Sequence, residues 1–142
     1  MQSQPTTSVS KARLWTGRVI SALPALFLLL DGAMKLPKPS FVVEATTQLG
    51  YPESMIVPLG VVVLVCTILY VIPQTAVLGA VLLTGYLGGA VASHARHEDG
   101  TFAIVFPAVF GAFIWGGLVL RDARLAALVP WRNLSTEPAG HD

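Results

Sequence analysis

Apolar residues in this chain come in long runs at helical spacing, and the runs are separated by short polar stretches. Between Glu53 and Arg96 lie 42 residues without a formal charge. A helix rising about 1.5 Å per residue would make that roughly 60 Å, twice the hydrocarbon thickness of a bilayer. The run must therefore fold back on itself. The break falls at Ile72-Pro73-Gln74-Thr75, where Pro73 ends one helix and Thr75 is placed to cap the next. Two further apolar runs flank this hairpin, so the pattern predicts spans at about 15–36, 56–72, 75–95 and 102–120. Pro24 and Pro107 fall inside the first and last of these and predict kinks, with Ser21 or a neighbouring helix available to meet the carbonyl that Pro24 frees. Tyr70, at the exit of the second span, has the position of an interfacial aromatic.

A shorter element lies between the first two spans. Pro39 suits a helix start, Gly50 a helix stop, and Pro52 prevents continuation, which predicts a helix over about 39–49. Phe41, Val42, Ala45 and Leu49 share one face, with Glu44, Thr47 and Gln48 opposite. At this length the helix cannot span, and it is expected to lie at the interface as a lid over the bundle end. The predicted fold class is all-α, an integral membrane four-helix bundle with a short interfacial helix. Residues 13–132 form the membrane domain, between a disordered tail at 1–12 and a second tail at 133–142.

Composition agrees with that class. The 142 residues are 54% hydrophobic and 12% charged, with a mean hydropathy of +0.67, against roughly 25% charged in soluble domains. A net charge of +1 provides no footprint for nucleic acid. The single cysteine, Cys66, lies mid-span, which excludes an internal disulfide or a thiol pair. Lys11, Arg13, Arg18, Arg121, Arg124 and Arg132 stand on the side of the termini, against Lys35, Lys38 and Arg96 on the other. Six against three places both termini in the cytoplasm. The first span lacks a small-residue cleavage site after Leu30 and is read as an uncleaved anchor.

Candidate chemistry concentrates at one end of the bundle. Asp31 and Lys35 are four apart with the acid first, the favourable orientation for a helical ion pair. They serve either as a pair that ends the span or as a buried carboxylate facing a polar pocket. The exit of the third span, Ser93-His94-Ala95-Arg96-His97-Glu98-Asp99, packs five ionisable residues into six positions from His94 to Asp99. His97, Glu98 and Asp99 read as a solvated edge, while His94 and Arg96 lie nearer the membrane. Because the first and third spans end on the same side, Asp31, Lys35, Glu44, His94 and Arg96 can converge beneath the lid as a ligand or partner cluster. Two histidines three apart, without a third ligand of defined spacing, do not make a metal site. Small residues form two stripes on the third span, Gly85, Gly89 and Ser93 beside Ala80, Thr84, Gly88 and Ala92. These predict close helix packing through Gly85, Gly88, Gly89 and Ser93, within the chain or between copies. Ala112 and Gly116 have the same spacing on the fourth span.

Several segments together resemble the DoxX-like family. They are Met34-Lys35-Leu36 with Pro39 and Val42-Val43-Glu44, Leu49-Gly50-Tyr51-Pro52, Leu69-Tyr70-Val71-Ile72-Pro73 and Thr84-Gly85-Tyr86-Leu87-Gly88-Gly89-Ala90. His94 and Arg96, Phe106-Pro107 and Trp115-Gly116-Gly117-Leu118 with Arg121-Asp122 complete the set. The similarity runs over roughly residues 16–132, and Gln74 departs from it where relatives are expected to carry a basic residue. The resemblance implies a small four-helix protein of the bacterial inner membrane. The wider group takes its name from a membrane subunit of a thiosulfate:quinone oxidoreductase, and some relatives are linked to oxidative-stress complexes. It therefore implies an accessory subunit that docks a redox partner or a quinone beside the lipid bilayer. The alternatives are a non-catalytic membrane scaffold or stress-associated protein, and a small-solute or proton path, for which helices lined by Gly, Ala and Leu offer little polar wall. With no phosphate loop, Ser/His/Asp set or thiol pair, the residues do not support catalysis by this chain alone.

Overall fold

A computed structural model of the chain describes residues 10–128. Six α-helices follow in order: α1 Lys11–Lys35, α2 Ser40–Gln48, α3 Ile56–Val71 after a one-turn 3-10 segment at Glu53–Met55, α4 Ala76–Arg96, α5 Thr101–Arg121 and α6 Ala123–Leu128. Four of them, α1, α3 with its leading turn, α4 and α5, are long and apolar enough to cross a membrane. No strand occurs among the described residues. The expected tails lie outside the described residues, apart from Ser10, Lys11 and Ala12. There the Ser10 hydroxyl accepts from the Arg13 amide at 3.3 Å, and α1 begins at Lys11.

The long helices form a ring in the order α1, α3, α4, α5, in which each packs against the next and α5 closes back onto α1. Short connections make neighbours antiparallel, which is the arrangement of an up-and-down bundle. The contacts agree: the start of α1 meets the end of α5 at Gly17 and Arg121, and the end of α1 meets the start of α3 at Lys35 and Gly60. The core runs along the axis through Leu28, Val63, Tyr70, Ala80, Leu83, Ile114 and Leu118. Large apolar side chains face outward, among them Leu23, Leu26, Val61, Val65, Ile68, Val81 and Phe102. This inversion of the soluble pattern is what a lipid solvent permits.

Glycine sets the closest approaches, at positions other than those the stripes suggested. A Cβ on Gly32 would lie 2.8 Å from Val63 Cγ1, and one on Gly60 would lie 2.7 Å from Lys35 Cβ. A Cβ on Gly79 would overlap the Tyr70 backbone, and one on Gly117 the Ser21 side chain. At Gly85, Gly88, Gly89 and Gly116, by contrast, a Cβ would meet nothing within 4 Å. The packing expected through Gly85, Gly88 and Gly89 is therefore not made within one chain, and Gly117 takes the place expected of Gly116. Residues at four-residue spacing share a face of the helix, but spacing does not say which face meets a neighbour.

Three local expectations change for the same kind of reason. Tyr70 is not an interfacial anchor: it is 1% exposed, and its hydroxyl donates to the Ile114 carbonyl at 2.9 Å across the bundle. Thr75 makes no side-chain cap to α4; its hydroxyl donates back to the Leu69 carbonyl at 2.8 Å and closes the end of α3. Ser21 does not meet the carbonyl freed by Pro24, because its hydroxyl has no hydrogen-bond partner.

These contacts separate two classes of glycine. Gly79→Ala is expected to lower stability by at least about 1–3 kcal/mol through overpacking. Gly88→Ala should stay within about 1 kcal/mol of the parent or gain from helix propensity. Thermal unfolding of both variants in mild detergent, followed by circular dichroism, checks this, and equal losses would contradict it.

Candidate ligand-binding site

At the end of the bundle away from the termini, the helices part around a cavity of about 480 Å³, within the roughly 300–1,000 Å³ range of small-molecule sites. α2 covers it through Ala45, Thr46 and Leu49. The lid helix closes with a motif that depends on Gly50, whose φ of +84° is costly for other residues. There the Tyr51 amide donates to Thr46 O at 3.3 Å and the Gly50 amide to Thr47 O at 2.9 Å. Thr46 is the buried residue of α2, whereas Phe41, expected on the inward face, is 55% exposed.

The turn at Gly50 sends Tyr51 back into the bundle, where its hydroxyl and Ser93 Oγ lie 2.6 Å apart. Ser93 in turn donates to Gly89 O at 2.8 Å. Asp31 and Lys35 form their pair on the opposite wall, with Lys35 Nζ 2.5 Å from Asp31 Oδ1. His94 Nδ1 meets Asp99 Oδ2 at 2.6 Å. An ionised Asp99 only accepts, which places a proton on Nδ1 and leaves Nε2 as the other exchangeable position of the ring. Deeper in, the walls become aromatic. Phe27 stands edge-on to Phe106 and Phe110, with centroids 5.5 and 4.9 Å away, and Tyr86 lines the same space.

The five charged residues expected to converge do so only in part. Asp31, Lys35 and His94 line the cavity. Glu44 lies on the exposed side of the lid, where it accepts from Gln48 at 3.3 Å. Arg96, two residues beyond His94, has rotated away and donates to Leu49 O at 3.5 Å, so its charge complements the C-terminus of α2. Ser93, expected as a packing residue, supplies a hydroxyl to the site. Sequence reasoning missed Tyr51, Tyr86, Phe27, Phe106 and Phe110 as lining residues. A signal existed: Tyr86, Ala90, Ser93 and His94 stand at i, i+4, i+7 and i+8, and Phe27 lies four before Asp31. Among the described residues no three His, Cys, Asp or Glu side chains are grouped as a metal site would need.

The chemistry offered is recognition of a flat, mainly apolar group that carries polar oxygens at one end. Aromatic faces take the ring, while the Lys35 ammonium has protons to donate to its oxygens beyond the one given to Asp31, and the Tyr51 hydroxyl can do so on turning from Ser93. His94 also sets the electrostatics of the rim. Its hydrogen bond, with a further one from His97 at 3.2 Å, holds the Asp99 carboxyl below the usual carboxylate range. A lowered folded-state value means that the contact's stabilisation is complete above the ordinary carboxylate range and lost as pH falls through the lowered one. His94→Ala should move the Asp99 midpoint upward, as read from its carboxyl carbon shift by NMR. An unmoved midpoint would show that His94 does not hold the carboxylate.

A family model for the DoxX-like family matches residues 19–117, which include every residue lining the cavity. No curated protein and no solved structure matches the chain. The family match covers well over half of the 142 residues. It joins with the four apolar helices in one conclusion: the chain is a multi-pass membrane protein and belongs to the DoxX-like family.

Proposed function

We propose that this protein is a membrane accessory subunit of a redox or quinone-linked system, and that its cavity receives the ring of a quinone. The observation that carries this reading is the gradient inside one cavity, from the Phe27, Phe106 and Phe110 wall to the Asp31–Lys35, Tyr51–Ser93 and His94 rim. A quinone has the same polarity, with an apolar body and carbonyl oxygens that accept hydrogen bonds. The excess of Lys and Arg on the side of the termini supports an inner-membrane orientation with both termini in the cytoplasm. In that orientation the cavity opens toward the opposite leaflet. Family membership supports a membrane role and adds only analogy on redox partnership.

A second reading, a non-catalytic scaffold, is favoured by the outward face of α4, where Val81, Gly88 and Ala92 are exposed and a Cβ on Gly88 would meet nothing within 4 Å. Small residues of this kind admit close approach of another membrane helix.

Titration of the full chain in mild detergent with a short-chain benzoquinone, followed by tryptophan quenching, tests the first reading. Lys35→Met and His94→Ala are each expected to weaken binding at least about tenfold, the loss of one charge-assisted or well-formed polar contact. Gly89→Leu should abolish binding while leaving the circular dichroism spectrum unchanged, because Gly89 lines the cavity and a Cβ there would meet nothing within 4 Å. Absence of binding, or equal affinity in all three variants, would favour the scaffold.

A further inference from the structure

The other end of the bundle holds a second recess, which the quinone reading does not use. It has a volume of about 270 Å³ and is lined by Arg18, Ser21, Ala22, Leu26, Tyr70 and Arg121, among others. Arg121 is built into this place. Gly17 has no side chain, and a Cβ there would lie 2.8 Å from Arg121 Cγ, so the absence of one lets the arginine stem lie against α1. The guanidinium stands 5.3 Å above the Tyr70 ring, and the Tyr70 hydroxyl is itself tied to Ile114. Yet Nε and one terminal nitrogen of Arg121 are buried without a hydrogen-bond partner, as is Ser21 Oγ. The aromatic face compensates part of the charge but accepts none of the N–H bonds. Buried donors on a cation without an acceptor are costly, and the fold keeps them together.

Among the described residues no carboxylate lines the recess. Among the described residues this end carries Lys11, Arg13, Arg18, Arg121 and Arg124 against a single acid, Asp122, whose carboxylate accepts from the Arg124 amide at 2.8 Å. Arg13 donates to Val119 O at 3.3 Å, which leaves Arg18 as the second cation at the recess, 5.7 Å over the Trp15 ring. Two guanidinium groups facing one recess, with no acid among the described residues to balance them, suit an anion that enters it. Shape narrows its source. The lining follows α1 from Arg18 past Ala22, Ala25 and Leu26 to Leu29, about 16 Å along the helix axis at 1.5 Å per residue. The recess thus runs from a basic mouth into an apolar strip beside outward-facing Leu26, and a small free anion would use only the mouth.

We infer that this recess is a binding site for an anionic phospholipid. Its phosphate sits at the mouth between the Arg18 and Arg121 guanidinium groups, while an acyl chain lies along Ala22, Leu26 and Leu29. The planar guanidinium fork matches phosphate oxygens in a way that an ammonium does not.

The test uses the full chain purified in mild detergent, depleted of lipid, and then supplied with phosphatidylglycerol, phosphatidylcholine or inorganic phosphate. Phosphatidylglycerol is expected to raise the melting temperature by roughly 5 °C or more, with little response to the other two. Arg18→Gln and Ala22→Phe, both at exposed positions of α1 and so compatible with folding, should remove most of that gain. Each should also weaken retention of phosphatidylglycerol at least about tenfold in native mass spectrometry. Arg121→Lys should reduce the gain while keeping the charge. An equal rise with inorganic phosphate would overturn the lipid as the source. An equal rise with phosphatidylcholine, or an undiminished gain in Arg18→Gln and Ala22→Phe, would overturn the site.

Discussion

The bundle depends on the point where Gly79 of α4 crosses Tyr70 of α3. A backbone-to-backbone approach is possible there because Gly79 carries no side chain, and it fixes the hairpin at the bend after Ile72. Tyr70 then acts on the rest of the structure. Its hydroxyl reaches across to the α5 backbone at Ile114, and its ring underlies Arg121 at the end of α5. In a lipid environment the hydrophobic effect does little to hold helices together, so close contact and shared hydrogen bonds must do so. One tyrosine and one glycine thereby place three of the four spans. The fourth, α1, is seated by Gly17 and Gly117 at one end and by Gly32 and Gly60 at the other.

Much of the fold could be read from charge and proline alone. The long uncharged run with Pro73 inside it admits only a hairpin, and the lid is bracketed by Pro39, Gly50 and Pro52. These are local constraints on length and backbone, and they act wherever the residues stand. What spacing could not supply was rotation about each helix axis. Gly85, Gly88 and Gly89 share a face, but only the assembled ring shows that this face meets no helix. The same gap explains the candidate site. Depth in the membrane put five charged residues at one level, of which Asp31, Lys35 and His94 line the cavity while Glu44 and Arg96 point elsewhere. Tyr51 was hidden for another reason: it enters the cavity only through the reversal at Gly50, which the sequence marks as a helix stop and not as a direction.

The two ends of the molecule are chemically unlike. One holds acids, histidines and hydroxyls around an aromatic-walled cavity under a lid. The other holds arginines around a narrow recess open along the lipid-facing side of α1. The buried residues Leu83 and Ile114 lie between them, and the two linings come together along α1, where Leu26 and Leu29 line the recess and Phe27 and Leu28 the cavity.

The bare stretch of α4 at Gly85 and Gly89 has a consequence of its own. In most proteins a residue that shapes a cavity also holds the walls together, so any change in what fits inside disturbs the fold. Here α4 is held by the buried Leu83, while a Cβ on either glycine facing the space would meet nothing within 4 Å. A methyl group added at those two positions is drawn from the cavity alone. Related chains could pass from glycine to alanine to leucine there and admit successively smaller guests with the same four-helix frame, separating the choice of guest from the stability of the host.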